Sequence, residues 1–430
     1  MTATADQMAR GWCPGVRRPM ESGDGLIVRV HPRNGTLTRD QVSGVADAAS
    51  RFGNGILDIT SHANLQIRGA REATRAPLEA ELDRLGLVEA SPRPPYRATV
   101  ISPLTGDDPN EIVDARPLAD MVEAAVAEMT LPAKFLIAIE TGGASALDHL
   151  APDLRIDADQ PDTVSIALAR PDGRCWGAPM ALDDLEPTLR RLLSALSTAL
   201  ADHAVRRVRA LPTETIEALL SPPSAPHRMP LPPLPAAGIV SLKDGYVGLL
   251  AAAPFGQLSS DQLAAVATSA DKAGVPRIRL TPARGIFLPG LSEATATDLV
   301  PALSDLGLVT APNDKRLRVV TCPGAPACSR ALTPTRSRAA RLAEHLPDGP
   351  WPALVHLSGC AKGCARRKAA PLTLVAADTG FDVVLDGGPF DVPVANLDFD
   401  DILHRLAAPG DEANLRTRFG GRTARCATTT

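Results

Sequence analysis

Four cysteines in the last third of the chain form two close pairs, Cys322-x5-Cys328 in TCPGAPACSR and Cys360-x3-Cys364 in SGCAKGCARR. Thiolates set in Gly-, Ala- and Pro-rich loops suit an iron-sulfur cluster, whose ligands must wrap a compact inorganic core. Two rivals remain open on spacing alone. A structural zinc site draws on cysteine pairs two to four residues apart, which the second pair satisfies and the first exceeds. Two disulfides belong to small secreted chains, and this chain has 430 residues. Cys13, Cys175 and Cys426 complete the seven cysteines and read as inert thiols.

The elements that must position these thiols emerge from an internal repeat. At a constant offset of 221 residues, Asp40-Gln41-Val42 falls on Asp261-Gln262-Leu263, Ile59-Thr60 on Leu280-Thr281, and Gly69 on Gly290. Leu85-Gly86-Leu87-Val88 recurs as Leu306-Gly307-Leu308-Val309, and Arg97 lands on Arg318, which aligns Ile101 with Cys322. The thiols thus belong to one copy of a duplicated scaffold. Each copy predicts a strand (LIVRVHP, YVGLLAAA) and a helix behind a Thr or Ser start (38–49, 259–273). Two strands follow (GILDIT and LQIRG, RIRLT and IFLPG), then a second helix near the shared LGLV. That order is a ferredoxin-like half domain. After each unit, a strand (97–102, 316–321), a helix (118–129, 337–344) and a returning strand (134–140, 353–357) predict an α/β domain.

The expected fold is α+β and α/β: two ferredoxin-like half domains paired by pseudo-twofold symmetry, plus two α/β domains. The expected boundaries are a first half domain with N-terminal extension at 1–90, an α/β domain at 91–221, and a Pro-rich linker at 222–237. A second half domain at 238–310, a cluster-carrying α/β domain at 311–415 and a flexible tail at 416–430 complete the chain. The linker rests on SPPSAPHRMPLPPLP, which suits neither a helix nor a central strand.

Bulk properties exclude several classes. The net charge of -4 and the lack of a basic stripe with interleaved aromatics argue against nucleic acid as a partner. No apolar signal core and no long apolar run occur, so the expectation is a cytoplasmic protein with no membrane partner.

The duplicated order and the cysteine pattern resemble the sulfite and nitrite reductase superfamily over nearly the whole chain. Within it, GWCPGVRRPMESGDGLIVRV, DITSHANLQIRGA, SPLTGDDPNEIVDARPLA and SGCAKGCA resemble the precorrin-3B synthases of aerobic cobalamin biosynthesis. Reductases more typically carry Cys-Pro-Asn-Gly-Cys as the second pair. The resemblance implies a 4Fe-4S cluster on Cys322, Cys328, Cys360 and Cys364, with Cys364 bridging to siroheme in the reductase alternative. It implies an oxygen-dependent monooxygenase that hydroxylates precorrin-3A at carbon 20 with closure of a γ-lactone. Its further implications are a mononuclear non-haem iron, dioxygen as co-substrate and electrons ultimately from NADH. No dinucleotide glycine fingerprint occurs, so a separate electron-donor reductase or ferredoxin is expected. A siroheme sulfite or nitrite reductase and a zinc-stabilised binding module are the alternatives.

Carried over by motif, His62 stands where the reductases have an arginine, Arg97 keeps a second arginine, and Lys134 keeps one lysine while Leu136 replaces the other. Fewer fixed charges favour dioxygen over an inorganic anion. His62 is either an iron ligand or proton donor, or a loop residue contacting a tetrapyrrole carboxylate. Arg68, Arg97, Lys134 and Arg284 are the expected carboxylate binders. Arg366-Arg367-Lys368 is a candidate docking patch for the electron donor, against the reading of a solvated surface run. Asp107, Asp108, Glu111 and Asp114 read as capping and solvated loop carboxylates with no catalytic role.

Overall fold

The computed structural model describes residues 12–91, 93–144, 146–220, 223–224, 231–348, 354–407 and 415–419. Two compact units result. Among the described residues, one comprises 12–20 with 26–310, the other 21–25 with 311–419.

In the larger unit the repeat becomes a pair of sheets that exchange strands. Gly25–Val30, Leu65–Ala70 and Ile56–Ile59 of the first copy are completed by Gln257–Ser259 of the second. Reciprocally, Gly238–Ser241, Val247–Ala252, Gly285–Leu291 and Arg277–Thr281 are completed by Thr36–Thr38. The registers obey the repeat: Gln257 opposes Asp58, and Thr36 opposes Arg279. Neither exchanged strand is anticipated by the sequence reading.

Helices Arg39–Phe52 and Ser260–Lys272 pack on each other. Thr38 and Ser259 cap them, each in a reciprocal box with Gln41 or Gln262, a motif that contributes on the order of 1 kcal/mol. The buried faces repeat as well, with Val42, Val45, Ala46 and Ala49 matched by Leu263, Val266, Ala267 and Ala270. Small alanines let the two helices approach closely over one continuous apolar core.

The next domain of this unit runs three parallel strands, Thr99–Ile101, Ile137–Glu140 and Leu154–Gln160, into antiparallel Thr163–Arg170 and Gly173–Gly177. The two-residue strand Pro223–Ser224 adds at the edge, where a proline's missing N–H is tolerated. The rest of the Pro-rich segment up to 230 lies outside the described residues.

The smaller unit repeats this polarity. Parallel Val319–Thr321, Val355–Ser358 and Ala370–Ala376 lead to antiparallel Phe381–Gly387 and Ala395–Leu397. Helix Thr335–His345 covers the sheet. Two expectations are corrected here. Lys315–Arg318 is a 3-10 turn capped by Asp314 rather than the start of the strand. The expected tail begins as helix Leu415–Phe419 with Leu415 and Phe419 buried; Cys426 and residues 420–430 lie outside the described residues.

Candidate functional site

Two groups of chemically competent side chains occur, one in each unit. In the smaller unit, Cys322 directly follows Val319–Thr321, and Cys360 stands two residues beyond Val355–Ser358. These strands are parallel neighbours with Thr321 opposite Leu357, so both cysteine loops leave the same sheet edge. Carboxyl ends of parallel strands are where such sheets bind ligands.

The loops are laced together. The Gly359 N–H donates to Cys322 Sγ at 3.4 Å, and the Leu332 N–H to the Gly359 carbonyl at 2.9 Å. Thr335 donates its hydroxyl to the Cys322 carbonyl at 2.6 Å, and the Cys328 N–H reaches Gly324 O at 2.7 Å. Ser22 Oγ and the Gly23 N–H both donate to the Ala327 carbonyl, at 2.6 and 3.2 Å, so the ESGDG stretch near the N-terminus buttresses the first loop. Gly363 holds φ +59°, and a Cβ there would come within 2.2 Å of the Pro389 ring, so the CAKGC turn needs glycine on two counts.

All six described cysteines are free thiols. Burial pushes the pKa of Cys360 and Cys364 up, and the charges of neighbouring thiols raise both further while Lys362 lowers them. Cys364 retains an exposed face, and its shift reflects the protein around the rest of the thiol. Cys322, Cys328 and Cys360 all act on Cys364, which places the four thiols in one electrostatic neighbourhood. Among the described residues, however, no three His, Cys, Asp or Glu side chains are placed to hold a single metal ion. Four thiols in one neighbourhood, carried on two adjacent loops, are a donor set that suits an iron-sulfur cluster.

In the larger unit, His62 lies in the turn Thr60–Asn64, closed by Thr60 N–H to Asn64 O at 2.9 Å and Ala63 N–H to Thr60 O at 3.0 Å. Arg97 pins this turn from outside. Its guanidinium donates to the carbonyls of His62 and Ala63 and, at 2.6 Å, to that of Pro32. Burial lowers the Arg97 pKa to about 10. His62 keeps solvent contact yet has protein around it. Burial first, then Arg29, Arg97, Arg207 and His149, lower its pKa to about 3. Solvent contact tempers the size of that shift but not its direction, because every one of these neighbours is a cation or becomes one on protonation. His62 is neutral at neutral pH.

Arg207 is held by Asp153 at 3.0 Å and by the Ala151 carbonyl at 2.8 Å, and its Nη1 donates to the Lys134 carbonyl at 3.3 Å. The Lys134 backbone thereby lies beside Arg207, and its side chain is exposed. Arg29, Arg207 and His149 have no counterpart in the sequence reading, which expected a thinned ring of charge. Arg29, Arg97 and Arg207 make the surroundings of His62 basic. Arg29 projects from a strand whose alternation shows it faces off the core, but its partners are set only by tertiary folding.

One expected carboxylate binder, Arg68, is committed to a buried partner. Arg68 is 1 % exposed and paired with buried Asp58 at 3.0 Å. A β-bulge at this point, with Gly69 at φ +70°, turns Arg68 inward and away from any ligand. Arg284 occupies the second copy's equivalent of Ala63, both with positive φ. The acidic loop is structural but not solvated as expected. Glu111 accepts from the Thr105 hydroxyl and the Gly106 N–H, both at 2.6 Å, and Asp108 accepts from Asn110 and Ala144 N–H groups. Asp114 caps helix Ala115–Ala127, and Arg279 ties Asp107 to the carbonyls of Pro103 and Thr105.

A family model described as the nitrite/sulfite reductase ferredoxin-like half domain matches residues 18–85 and 241–306. The chain is 33% identical over 424 residues to a precorrin-3B synthase of Sinorhizobium, covering 95% of this chain and 89% of the relative. It is 26% identical to a ferredoxin-nitrite reductase of Synechococcus elongatus, covering 86% and 81%. With a ferredoxin sulfite reductase of Mycobacterium tuberculosis it shares 24% identity, covering 81% and 69%. The solved structure of Mycobacterium tuberculosis NirA matches with a TM-score of 0.71 at 22% identity, covering 89% of this chain and 79% of that one, which establishes the fold.

Proposed function

The chain belongs to the precorrin-3B synthase family within the nitrite and sulfite reductase superfamily, and from that membership we propose that it oxygenates a precorrin in cobalamin biosynthesis. The reaction is the hydroxylation of precorrin-3A at carbon 20 with the ring A acetate closing a γ-lactone. The observation that carries this reading is whole-chain similarity to a precorrin-3B synthase. The basic recess supports it, since precorrin-3A bears many carboxylates and guanidinium groups bind carboxylates in bidentate fashion.

The four cysteines would hold a 4Fe-4S cluster, which supplies one-electron chemistry that side chains lack. The residues of the larger unit bind and orient. Arg29, Arg207 and Lys134 provide cationic contacts for substrate carboxylates, and Arg97 fixes the turn that presents His62. Neutral His62 donates one ring N–H to a carboxylate; its depressed pKa supports that role over proton donation. No step is assigned to a protein-bound mononuclear iron. Exposed Arg367 and Lys368, just beyond exposed Cys364, form the docking patch for a separate electron donor. Among the described residues no helix is long and apolar enough to cross a membrane.

The siroheme reductase reading is favoured only by the more distant relatives. The test is to purify the protein anaerobically, record its visible spectrum, and supply precorrin-3A, oxygen and reductant. A broad shoulder without siroheme bands and oxygen-dependent loss of precorrin-3A support the proposal; strong siroheme bands with sulfite or nitrite reduction and no precorrin turnover overturn it.

A further inference from the structure

Segment Ala331–Thr333 runs between the two cysteine loops and is bonded to both. The Ala331 N–H donates to the Cys328 carbonyl at 3.1 Å, the Leu332 N–H to Gly359 O at 2.9 Å, and the Thr333 carbonyl accepts from the Ala325 N–H at 2.8 Å. Gly324 permits this approach: a Cβ there would stand 2.9 Å from the Thr333 carbonyl and 2.4 Å from the Thr335 amide nitrogen. Thr333 is 5% exposed, and its Oγ1 is buried without a hydrogen-bond partner among the described residues. The nearby Thr335 hydroxyl is fully buried too but is committed to the Cys322 carbonyl.

A buried hydroxyl left unpaired is costly, so native structures rarely keep one without a water, an ion or a functional group to complete it. The hydrogen bonds of this segment to both cysteine loops point to a partner held between those loops. We propose that the Thr333 hydroxyl donates a hydrogen bond to the sulfur framework of the cluster and thereby raises its reduction potential. The inference rests on the cluster assignment above. Hydrogen bonds to cluster and cysteine sulfurs stabilise the more negative, reduced state, so each donor shifts the potential upward.

The test compares T333V, isosteric without the hydroxyl, with T333S, which retains it. Both are made as cluster-loaded full-length protein and titrated with dithionite under electron paramagnetic resonance, with iron and sulfide counted. The expected result is a lower midpoint potential in T333V at unchanged iron content, and a wild-type potential in T333S. A T333V potential equal to wild type, or an equal shift in T333S, overturns the proposal. If valine blocks assembly, T333A, which only removes atoms, carries the same comparison. Wild-type protein that contains no iron or labile sulfide would instead refute the cluster assignment itself, which keeps the two failures distinct.

Discussion

Replacing Gly363 by alanine tests the architecture of the second cysteine pair. Gly363 sits at φ +59°, where an L-residue costs roughly 1–2 kcal/mol, and its new Cβ would lie 2.2 Å from Cγ of the buried, rigid Pro389 ring. Relieving such overpacking costs about 1–3 kcal/mol more, because neither ring nor turn can yield cheaply. Gly274 is the internal control. It has φ +70° with nothing within 4 Å of a Cβ, so G274A carries the backbone penalty alone. The differential, about 2 kcal/mol, falls on the turn that carries Cys360 and Cys364 and weakens the hold on the cluster to the extent that the loaded turn is more tightly fixed than the empty one. In full, it corresponds to a roughly 30-fold weaker hold on the cluster. The assay is the rate of iron loss to a chelator under anaerobic conditions, for wild type, G274A and G363A. We expect G274A to match wild type and G363A to lose iron at least about tenfold faster. Equal rates in G363A and G274A would refute the claim that this turn positions cluster ligands.

Arg68→Ala leaves buried Asp58 without its cation and should lower stability by about 3–5 kcal/mol in denaturant titration; a raised Michaelis constant for substrate at unchanged stability would restore Arg68 to the binding site. The nearly buried His31, hydrogen-bonded to Glu89, has its pKa lowered to about 4, mainly by burial. The unfolded chain therefore takes up the proton first, so this contribution to stability is intact above about pH 6.5 and declines as pH falls toward 4. The loss should reach roughly 2 kcal/mol by pH 5, seen as an acid-side slope in chemical denaturation that H31N flattens. Reversing charge with R367E and K368E should raise the apparent Michaelis constant for the electron donor and leave that for precorrin-3A unchanged, in steady-state kinetics. His62→Ala should weaken substrate binding with iron content intact; loss of iron on that substitution would revive the metal-ligand reading.

Much of the scaffold was legible because duplication writes the same constraints twice. The Thr38/Gln41 and Ser259/Gln262 boxes mark the paired helices in the sequence, and the fixed offset carries through to positive φ at Ala63 and Arg284. The exchanged strands were not legible. Three residues carry no periodicity, and their partners lie in the other copy. The thiol set was read from spacing and motif, since covalent chemistry needs those residue types close together. The basic recess was not, because Arg29, Arg207 and His149 meet His62 only through tertiary contacts. Arg68 misled for a local reason: strand alternation from Leu65 puts it outward, and the bulge at Gly69 reverses that assignment.

The most direct test of the oxygenation claim is the mass spectrum of the precorrin product formed by the anaerobically purified, reduced holoprotein under isotopically heavy dioxygen. The account predicts that the new hydroxyl carries one heavy oxygen atom. Product lacking the label, or label acquired only from heavy water, would contradict it.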